Sequence, residues 1–244
     1  MTVNAHPLRE KYTRSHVART TTCPGCGIGT VSQAILRAID GLQLDIDDFV
    51  FVSGIGCSAW IPSPFYNADT LHTTHGRPIA FATGVKLGLP HKHVMVVSGD
   101  GDLTAIGTTP RGIKTITSPY GAMEPHFDVS AMVSAAGASY VARWTTHHPR
   151  QMSRAIRKGI EKEGFALIEA VSQCPVQFGR ASKIGGAVEM LKHFKENSVR
   201  RDKALGMDPE QLAGKIVVGE FADRQLAELT AQWARLRSDM AEGS

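Results

Sequence analysis

Short, almost entirely apolar runs that alternate with helical segments constrain this chain more than any other feature. The apolar runs are Phe49–Val52, Val94–Ser98, Ser139–Trp144 and Phe165–Val171. Segments with helical spacing or helix-capping residues are Thr30–Ile39, Pro78–Leu89, Asp128–Gly137 and Pro149–Glu163. Strands without polar alternation are typical of parallel sheets, because helices cover both faces. The alternation therefore predicts an α/β fold with a doubly wound, mostly parallel sheet.

Composition excludes several classes of protein. The 244 residues are 42% hydrophobic and 20% charged, which fits globular rather than disordered or fibrous chains. The net charge is only +4, and the basic residues are not interleaved with aromatic ones, so we expect no nucleic acid partner. We also expect no membrane association and a cytoplasmic location, because the sequence shows neither a long uninterrupted apolar run nor a signal peptide.

The chain divides into three parts on its pattern. Residues 1–22 form an N-terminal arm rich in basic residues, residues 23–180 form the α/β domain, and residues 181–244 form a C-terminal helical tail. We expect the last helix near Asp223–Arg237. The arm is interpreted as solvated, with a docking surface for an acidic partner as the alternative.

One stretch does not fit a parallel sheet. About thirty residues, Gly99–Asp128, separate two predicted strands without a clear helix or strand between them. Parallel strands are normally joined by a crossover that contains a helix, and long structureless loops are uncommon in compact domains. The stretch is therefore either a functional loop or a place where a helix–strand unit is absent.

The four cysteines point to metal or catalytic chemistry rather than to disulfides. They are Cys23, Cys26, Cys57 and Cys174. The first two form a C-x-x-C pair, but no strand precedes it, as a thioredoxin-type dithiol would require. Four cysteines are the usual ligands of structural zinc and of iron–sulfur clusters alike. The residues alone leave zinc and a cluster equally open, and buried inert thiols remain the alternative for the last two cysteines.

Two glycine-rich turns follow predicted strands, where ligand sites gather in α/β sheets. The turn Gly54-Ile55-Gly56 matches a dinucleotide fingerprint by letter, but the prolines of residues 60–64 do not permit the helix that the fingerprint must open. The turn at residues 99–102, Gly-Asp-Gly-Asp, suits a phosphate and a magnesium ion, although such sequences also form plain turns. Beyond them, His75 and Arg77 precede a predicted helix and are candidates for binding an anion.

Taken in order, these motifs resemble the β subunit of the 2-oxoacid:ferredoxin oxidoreductases, and most closely the 2-oxoglutarate type. The matching motifs are CPGCGIG, GIGC, HTTHGRPIAFATGVKLGLP, SGDGDLTAIG, TTPRG and SPYG, between about Cys23 and Gln177. The resemblance implies a thiamine diphosphate-binding fold with a [4Fe–4S] cluster. Its implied cluster ligands are Cys23, Cys26, Cys57 and Cys174.

The resemblance also implies a reaction and its site. Thiamine attacks the 2-oxo carbon, CO₂ leaves, electrons pass singly through the cluster to ferredoxin, and coenzyme A takes the acyl group. Asp100 is the implied ligand of Mg²⁺, and His75 and Arg77 are the implied catalytic residues. The implied cofactor-binding residues are Gly54, Ile55, Gly56, Ser58, His75, Gly76, Gly99, Asp100, Gly101 and Asp102. An α subunit is implied as an obligate partner, in an αβ or α2β2 assembly.

The chain departs from the family pattern at one place. Thiamine diphosphate enzymes complete the Mg²⁺ site with an Asn–Asn pair, and this chain has none. We interpret a segment as missing between residues 107 and 108. Two alternatives follow: a non-catalytic cluster-binding subunit for electron transfer, and pyruvate rather than 2-oxoglutarate as the substrate. A zinc-stabilised interaction protein is a further hypothesis.

Overall fold

The computed structural model describes residues 6–17, 22–103, 109–115 and 118–242. The strands within these residues are β1 (Phe49–Ser53), β2 (Asp69–His72), β3 (His93–Val97), β4 (Tyr140–Thr145), β5 (Ala166–Val171), β6 (Ser198–Arg200) and β7 (Ile216–Asp223). The α-helices are α1 (Pro7–Tyr12), α2 (Ile28–Gly41), α3 (Pro78–Gly88), α4 (Asp100–Leu103), α5 (Val129–Ala135), α6 (Pro149–Glu161), α7 (Arg180–Ser182), α8 (Ala187–Asn197), α9 (Arg201–Ala204), α10 (Pro209–Leu212) and α11 (Leu229–Glu242). Single turns of other helix types lie at Ile46–Asp48, Cys57–Trp60 and Pro175–Gly179.

The strands form two sheets. One sheet has the order β2-β1-β3 and is entirely parallel. The other has the order β5-β4-β7-β6, and only the β4–β7 pair is antiparallel. The prediction of a mostly parallel α/β fold is confirmed, but the strands divide into two sheets rather than one.

The four predicted strands are β1, β3, β4 and β5, and the four predicted helices are α2, α3, α5 and α6. Their boundaries differ from the predicted ones by only one or two residues. The start of α5 shows why the capping signal is informative. The Asp128 carboxylate accepts a hydrogen bond from the Ala131 N–H over 2.9 Å and so caps the helix, as expected.

The prediction for residues 181–244 was incomplete. Helices are present, but β6 and β7 also belong to a sheet, and the last helix begins at Leu229 rather than near Asp223. The strand signal of β7 is weak because Gly219, with φ of 132°, and the charged Glu220 interrupt its apolar run. The β4–β7 register shifts beside these residues, between Val141 and Ala142, as expected where a glycine interrupts a strand.

The N-terminal arm is solvated at Arg9, Glu10 and Lys11, as expected, but it is also attached to the domain. Tyr12 is buried, and its hydroxyl donates to the Asp40 carboxylate over 2.9 Å. Arg14 donates to the Ala68 carbonyl over 3.0 Å. These contacts attach the arm to α2 and to the loop before β2. Residues 1–5 and 18–21 lie outside the described part.

One hydrophobic core serves both sheets. Phe49 and Phe51 of β1 share it with Tyr140 and Ala142 of β4, and the packed pair α2 and α6 contributes to it. The glycine turns after β1 and β3 and the cysteines are therefore held on one body. No helix in the described residues is long and apolar enough to cross a membrane.

Candidate functional site

The turns that follow β1 and β3 pack together around the Asp102 carboxylate. Its side chain is fully buried. One oxygen accepts the Ile55 N–H over 3.4 Å, and the other accepts the Ser98 hydroxyl over 2.7 Å. A Cβ at Gly54 would overlap the carboxylate. Position 54 thus requires glycine, because any larger side chain would collide with the Asp102 carboxylate.

Asp102 also holds His75. The His75 Nδ1–H donates to the Asp102 carboxylate over 2.6 Å, while two thirds of the imidazole remains exposed. Burial alone would raise the pKa of Asp102, but the hydrogen bonds from Ser98, His75 and Ile55 outweigh burial and lower it. The pair fixes the tautomer of the imidazole, with Nδ1 protonated and Nε2 on the opposite edge of the ring.

The predicted cofactor-binding residues are partly brought together. Gly99 approaches Ser58, since a Cβ on the glycine would lie 3.2 Å from the serine hydroxyl. Gly56 adopts a φ of 85°, which favours glycine. The residues that converge are Gly54, Ile55, Ser58, His75, Gly99 and Asp102.

The remaining predicted residues lie at the surface around this centre. Arg77 is exposed at the start of α3, and Gly76 beside it has a φ of 71° and open space around its Cα. Asp100 is also exposed, and its carboxylate accepts the Gly101 N–H over 2.8 Å. The sequence therefore predicted that Asp102 lies at this site. It did not predict that the Asp102 carboxylate is buried, or that Ser98 donates a hydrogen bond to it.

The four cysteines lie on three segments of the chain. All are free thiols, with Cys26 and Cys174 half-buried and Cys23 and Cys57 exposed. Burial raises the pKa of the Cys26 thiol, and the charge that the other three thiols can carry raises it as well. The turn is closed by the Cys26 N–H, which donates to the Cys23 carbonyl over 3.0 Å.

A buried glutamine, which sequence reasoning missed, anchors the cysteine turn. The Gln173 carbonyl accepts the Gly27 N–H over 2.9 Å, and its side-chain amide donates to the Gly25 carbonyl over 3.2 Å. The Thr146 hydroxyl donates to the side-chain oxygen of Gln173 over 2.5 Å. Because Gln173 precedes Cys174, the same residue connects two distant segments that carry cysteines. Only the position of Gln173 next to Cys174 could have indicated this role from the sequence.

The residues that could bind a metal differ between the cysteine segments and the turns around Asp102. Four free thiols match the Cys₄ set of a [4Fe–4S] cluster, in which each thiolate binds a different iron. Among the described residues, no group of three or more His, Cys, Asp or Glu side chains is arranged to hold a metal ion. The Asp100 end is incomplete for Mg²⁺. Asp102 is occupied by its partners, and none of the three asparagines in the sequence lies next to another.

A cavity of about 420 Å³ lies between the cysteine turn and the helical turn Pro175–Gly179. Pro24 and Pro175, neighbours of Cys23 and Cys174, line it. Arg180 and Lys183 contribute positive charge to its wall. The cavity is thus a basic surface next to the thiols and away from the carboxylate end.

Known proteins match this chain over nearly its whole length. Residues 54–109 and 103–170 match the family "Thiamine pyrophosphate enzyme, C-terminal TPP binding domain". The chain is 46% identical to the 2-oxoglutarate synthase subunit KorB of Methanocaldococcus jannaschii, over 95% of this chain and 97% of that one. It is 37% identical to the corresponding subunit of Archaeoglobus fulgidus, over 95% of each chain.

A solved structure shares the fold. It is the 2-oxoglutarate:ferredoxin oxidoreductase from Magnetococcus marinus with 2-oxoglutarate, coenzyme A and succinyl-CoA bound. The TM-score is 0.80 at 25% identity, covering 98% of this chain and 92% of that one. The thiamine pyrophosphate fold is confirmed by this likeness together with the family match.

The alignment to the Methanocaldococcus subunit contains more positions than the part of this chain that it covers. The alignment to the Methanocaldococcus subunit runs over 264 residues, whereas 95% of this chain is about 232 residues. Roughly 32 residues of that relative therefore align with no residue of this chain. The family match breaks into two pieces that meet at residues 103–109.

Proposed function

Because the chain belongs to the β subunits of the 2-oxoacid:ferredoxin oxidoreductases, we propose that its four cysteines hold a [4Fe–4S] cluster. We further propose that it serves a 2-oxoglutarate-type enzyme that decarboxylates the 2-oxoacid and forms its coenzyme A ester. The presence of four free thiols in a member of this family carries the proposal, and Gln173 holds the Cys23–Cys26 turn beside the segment of Cys174. The cluster accepts one electron at a time when it is bound.

The residues around the cluster ligands position them. Gly27 begins α2 against the Gln173 carbonyl, and Gln173 spans the cysteine turn and the segment that carries Cys174. Cluster loading therefore depends on a scaffold that is already hydrogen-bonded. The cationic wall formed by Arg180 and Lys183 favours an acidic electron acceptor, which suits ferredoxin.

His75 and Arg77 are proposed to act on the substrate. 2-Oxoglutarate carries two carboxylates, and Arg77 supplies a charged donor near the exposed imidazole of His75. Asp102 is the positioning residue, because it holds the ring by Nδ1 and leaves the opposite edge exposed. The glycine turns Gly54–Gly56 and Gly99–Gly101 would line the pocket for thiamine diphosphate.

The segments that carry this site expose apolar side chains, which supports an α subunit as partner. Ile55 and Trp60 follow β1, and Ile79 and Phe81 lie on α3 next to Arg77. Each is between 37% and 50% exposed. Burial of such side chains against the α subunit would complete the site and exclude water from it. We place the reaction in the cytoplasm, where thiols remain reduced.

The incomplete Mg²⁺ site favours a second candidate function, a cluster-binding subunit that transfers electrons without binding thiamine. Asp100 lacks the paired asparagines that the family supplies, and Asp102 is already engaged. The two functions share the cluster. Tight binding of thiamine diphosphate by the complex of this chain with its α subunit separates them, because only the first function requires it.

The proposal is tested by anaerobic purification of the chain with its α subunit. Iron, acid-labile sulfide and zinc are measured together with a visible spectrum. We expect about four irons and four sulfides per chain, the content of a Cys₄ cluster. Zinc, or no metal, in a folded complex would overturn the proposal.

A further inference from the structure

We propose that the C-terminal helix α11 is a docking site for the α subunit and that it extends the apolar surface of α3. The docking site rests on the proposed function, which supplies the α subunit as the partner, but not on the cluster or on thiamine. Three features support it: the exposure of both helices, the spacing of apolar side chains on α11, and the ion pair that joins the start of α11 to α3.

No residue of α11 is buried among the described residues. All of its 14 residues are exposed except Thr230, which is half-buried. An isolated helix of about 12–15 residues is only marginally stable in water, and helices in proteins are stabilised mainly by packing of an apolar face. The described part of the chain does not provide that packing. A partner surface is therefore needed to hold α11.

The large apolar side chains of α11 lie on one face. Leu229, Trp233 and Leu236 are separated by four and then three residues, a spacing that places side chains on the same side of a helix. Each is between 50% and 57% exposed. Ala234 and Ser238 occupy the opposite side. Because aromatic residues are enriched in protein interfaces, the face around Trp233 is suited to contact with another protein.

The helix α3 shows the same mismatch between composition and burial. Most of its 11 residues are apolar, yet only Pro78 and Ala82 among them are buried. Ile79 and Phe81 are 43% and 50% exposed. A helix that is apolar on all sides is expected to be covered by other parts of a structure. Because α3 begins directly after Arg77, the surface to be covered adjoins the candidate site.

An ion pair joins the two helices. Lys86 Nζ of α3 lies 3.3 Å from Oε1 of Glu228, the residue before α11. The same ammonium group donates to the Pro90 and Lys92 carbonyls over 2.8 and 3.1 Å, which fixes its position. The helix α11 therefore starts beside α3, whose apolar side chains are proposed to contact the α subunit. This continuity favours the α subunit as the partner of α11.

A second copy of this chain is the alternative occupant, and the size of α11 argues against it. Specific protein interfaces use about 20–30 residues on each side. The helix has 14 residues, and only one of its faces is apolar. A contact between two copies of α11 alone would thus be too small for a stable dimer. An interface with the α subunit includes α3 as well and is not limited in this way.

The docking site is tested by titration calorimetry of the full chain with the α subunit. Trp233→Glu and Ala234→Glu are matched variants, because both add one negative charge to an exposed position of α11 but only the first changes the apolar face. We expect at least about tenfold weaker binding for Trp233→Glu, the effect of losing a hot-spot side chain, and little change for Ala234→Glu. Thermal unfolding of the free chains verifies that both variants fold. Equal affinity of the two variants would overturn the proposal.

Hydrogen exchange provides a second readout that needs no variant. In the free chain, the amides of α11 should exchange quickly, because no packed face opposes fraying of the helix. In the complex with the α subunit, we expect their exchange to slow by about tenfold or more, together with that of α3. Protection of α3 without protection of α11 would show that the partner covers α3 alone, and it would overturn the proposal.

Sedimentation of the free chain at several concentrations examines the alternative occupant. A dimer that Trp233→Glu dissociates, with unchanged binding of the α subunit, would identify a second copy as the occupant and overturn the proposal. If the unmodified chain does not bind the α subunit, the docking site and the proposed partner are both wrong. Iron content is not measured in these experiments, so a failure of the docking site is distinguished from a failure of the proposed cluster.

Discussion

The cysteine end and the carboxylate end of the candidate site differ in how completely this chain supplies them. The cysteine end has all four thiols, and Gln173 ties the segments of Cys23, Cys26 and Cys174 together. The carboxylate end has Asp100 at the surface and Asp102 committed to His75 and Ser98. All four cysteines lie outside residues 103–109, where the two pieces of the family match overlap. The proposed cluster and the proposed Mg²⁺ site can therefore be tested separately.

The largest effect is expected from Cys26→Ser, which tests whether the cysteine end and the carboxylate end are independent of each other. Cys26 lies half-buried in the turn that Gln173 holds beside the Cys174 segment. We expect the loss of most of the roughly four irons that a Cys₄ site holds, with the acid stability conferred by Asp102 unchanged. Iron analysis and an acid titration of unfolding measure the two effects. Tyr120→Phe, at a side chain that is 94% exposed, is the control. Unchanged iron content in the Cys26 variant would contradict the ligand assignment.

Gly27→Ala should damage the same end without removing a thiol. A Cβ here would lie 2.5 Å from the Gln173 side-chain oxygen and 2.8 Å from the Ser172 Cβ, so the turn must shift. We expect a loss of about 1–3 kcal/mol in the free energy of unfolding and several-fold lower iron content. Gly29→Ala is the matched control, because its Cβ would meet nothing within 4 Å. Equal behaviour of the two variants in denaturant unfolding would refute the role of the close contact.

Asp102→Asn probes the carboxylate end. The pKa of Asp102 is lowered in the folded chain, so its stabilisation is complete above the unfolded value of about 3.9 and is lost as the pH falls through the folded value. The variant should lose about 1–2 kcal/mol at pH 7, since the partner His75 is largely exposed. Its stability should also depend less on pH between pH 5 and the acid limit, roughly pH 2. Denaturant unfolding at several pH values checks this, and iron content should stay unchanged.

The smallest effect is expected from Thr146→Val, which removes the hydroxyl that donates to Gln173. A single hydrogen bond contributes about 1 kcal/mol to stability, and Gln173 keeps its bond to the Gly25 carbonyl. Thr146→Ser retains the hydroxyl and serves as the control. A thermal unfolding curve that shifts in Thr146→Ser but not in Thr146→Val would show that the methyl group, and not the hydrogen bond, matters.

The sequence predicted most of the α/β core because its signals are local. The apolar runs of β1, β3, β4 and β5 and the Asp128 cap depend on neighbouring residues only. The strand β7 was missed because its place is fixed by pairing with β4 across some eighty residues, while Gly219 and Glu220 weaken its pattern.

At the site, the sequence predicted which residues gather but not which way they face. Motif order placed His75 and Asp102 in one pocket, yet only the fold shows that the carboxylate is buried beneath Gly54 and binds the imidazole. Gln173 gives no sequence signal beyond its place next to Cys174, because its role depends on three hydrogen bonds to distant segments. Polar residues of this kind are recognised by burial, which a single sequence does not reveal.

The antiparallel pairing of β7 with β4 bears on the order in which the protein folds during synthesis. The first sheet needs only residues 49–97, so its strands can pair while the chain is still being made. The residue that pairs with Tyr140 is Asp223, so β4 must wait for most of the remaining chain to be translated. Contacts between residues so far apart close slowly. During that interval one edge of β4, a strand buried along its whole length in the finished protein, lacks its partner.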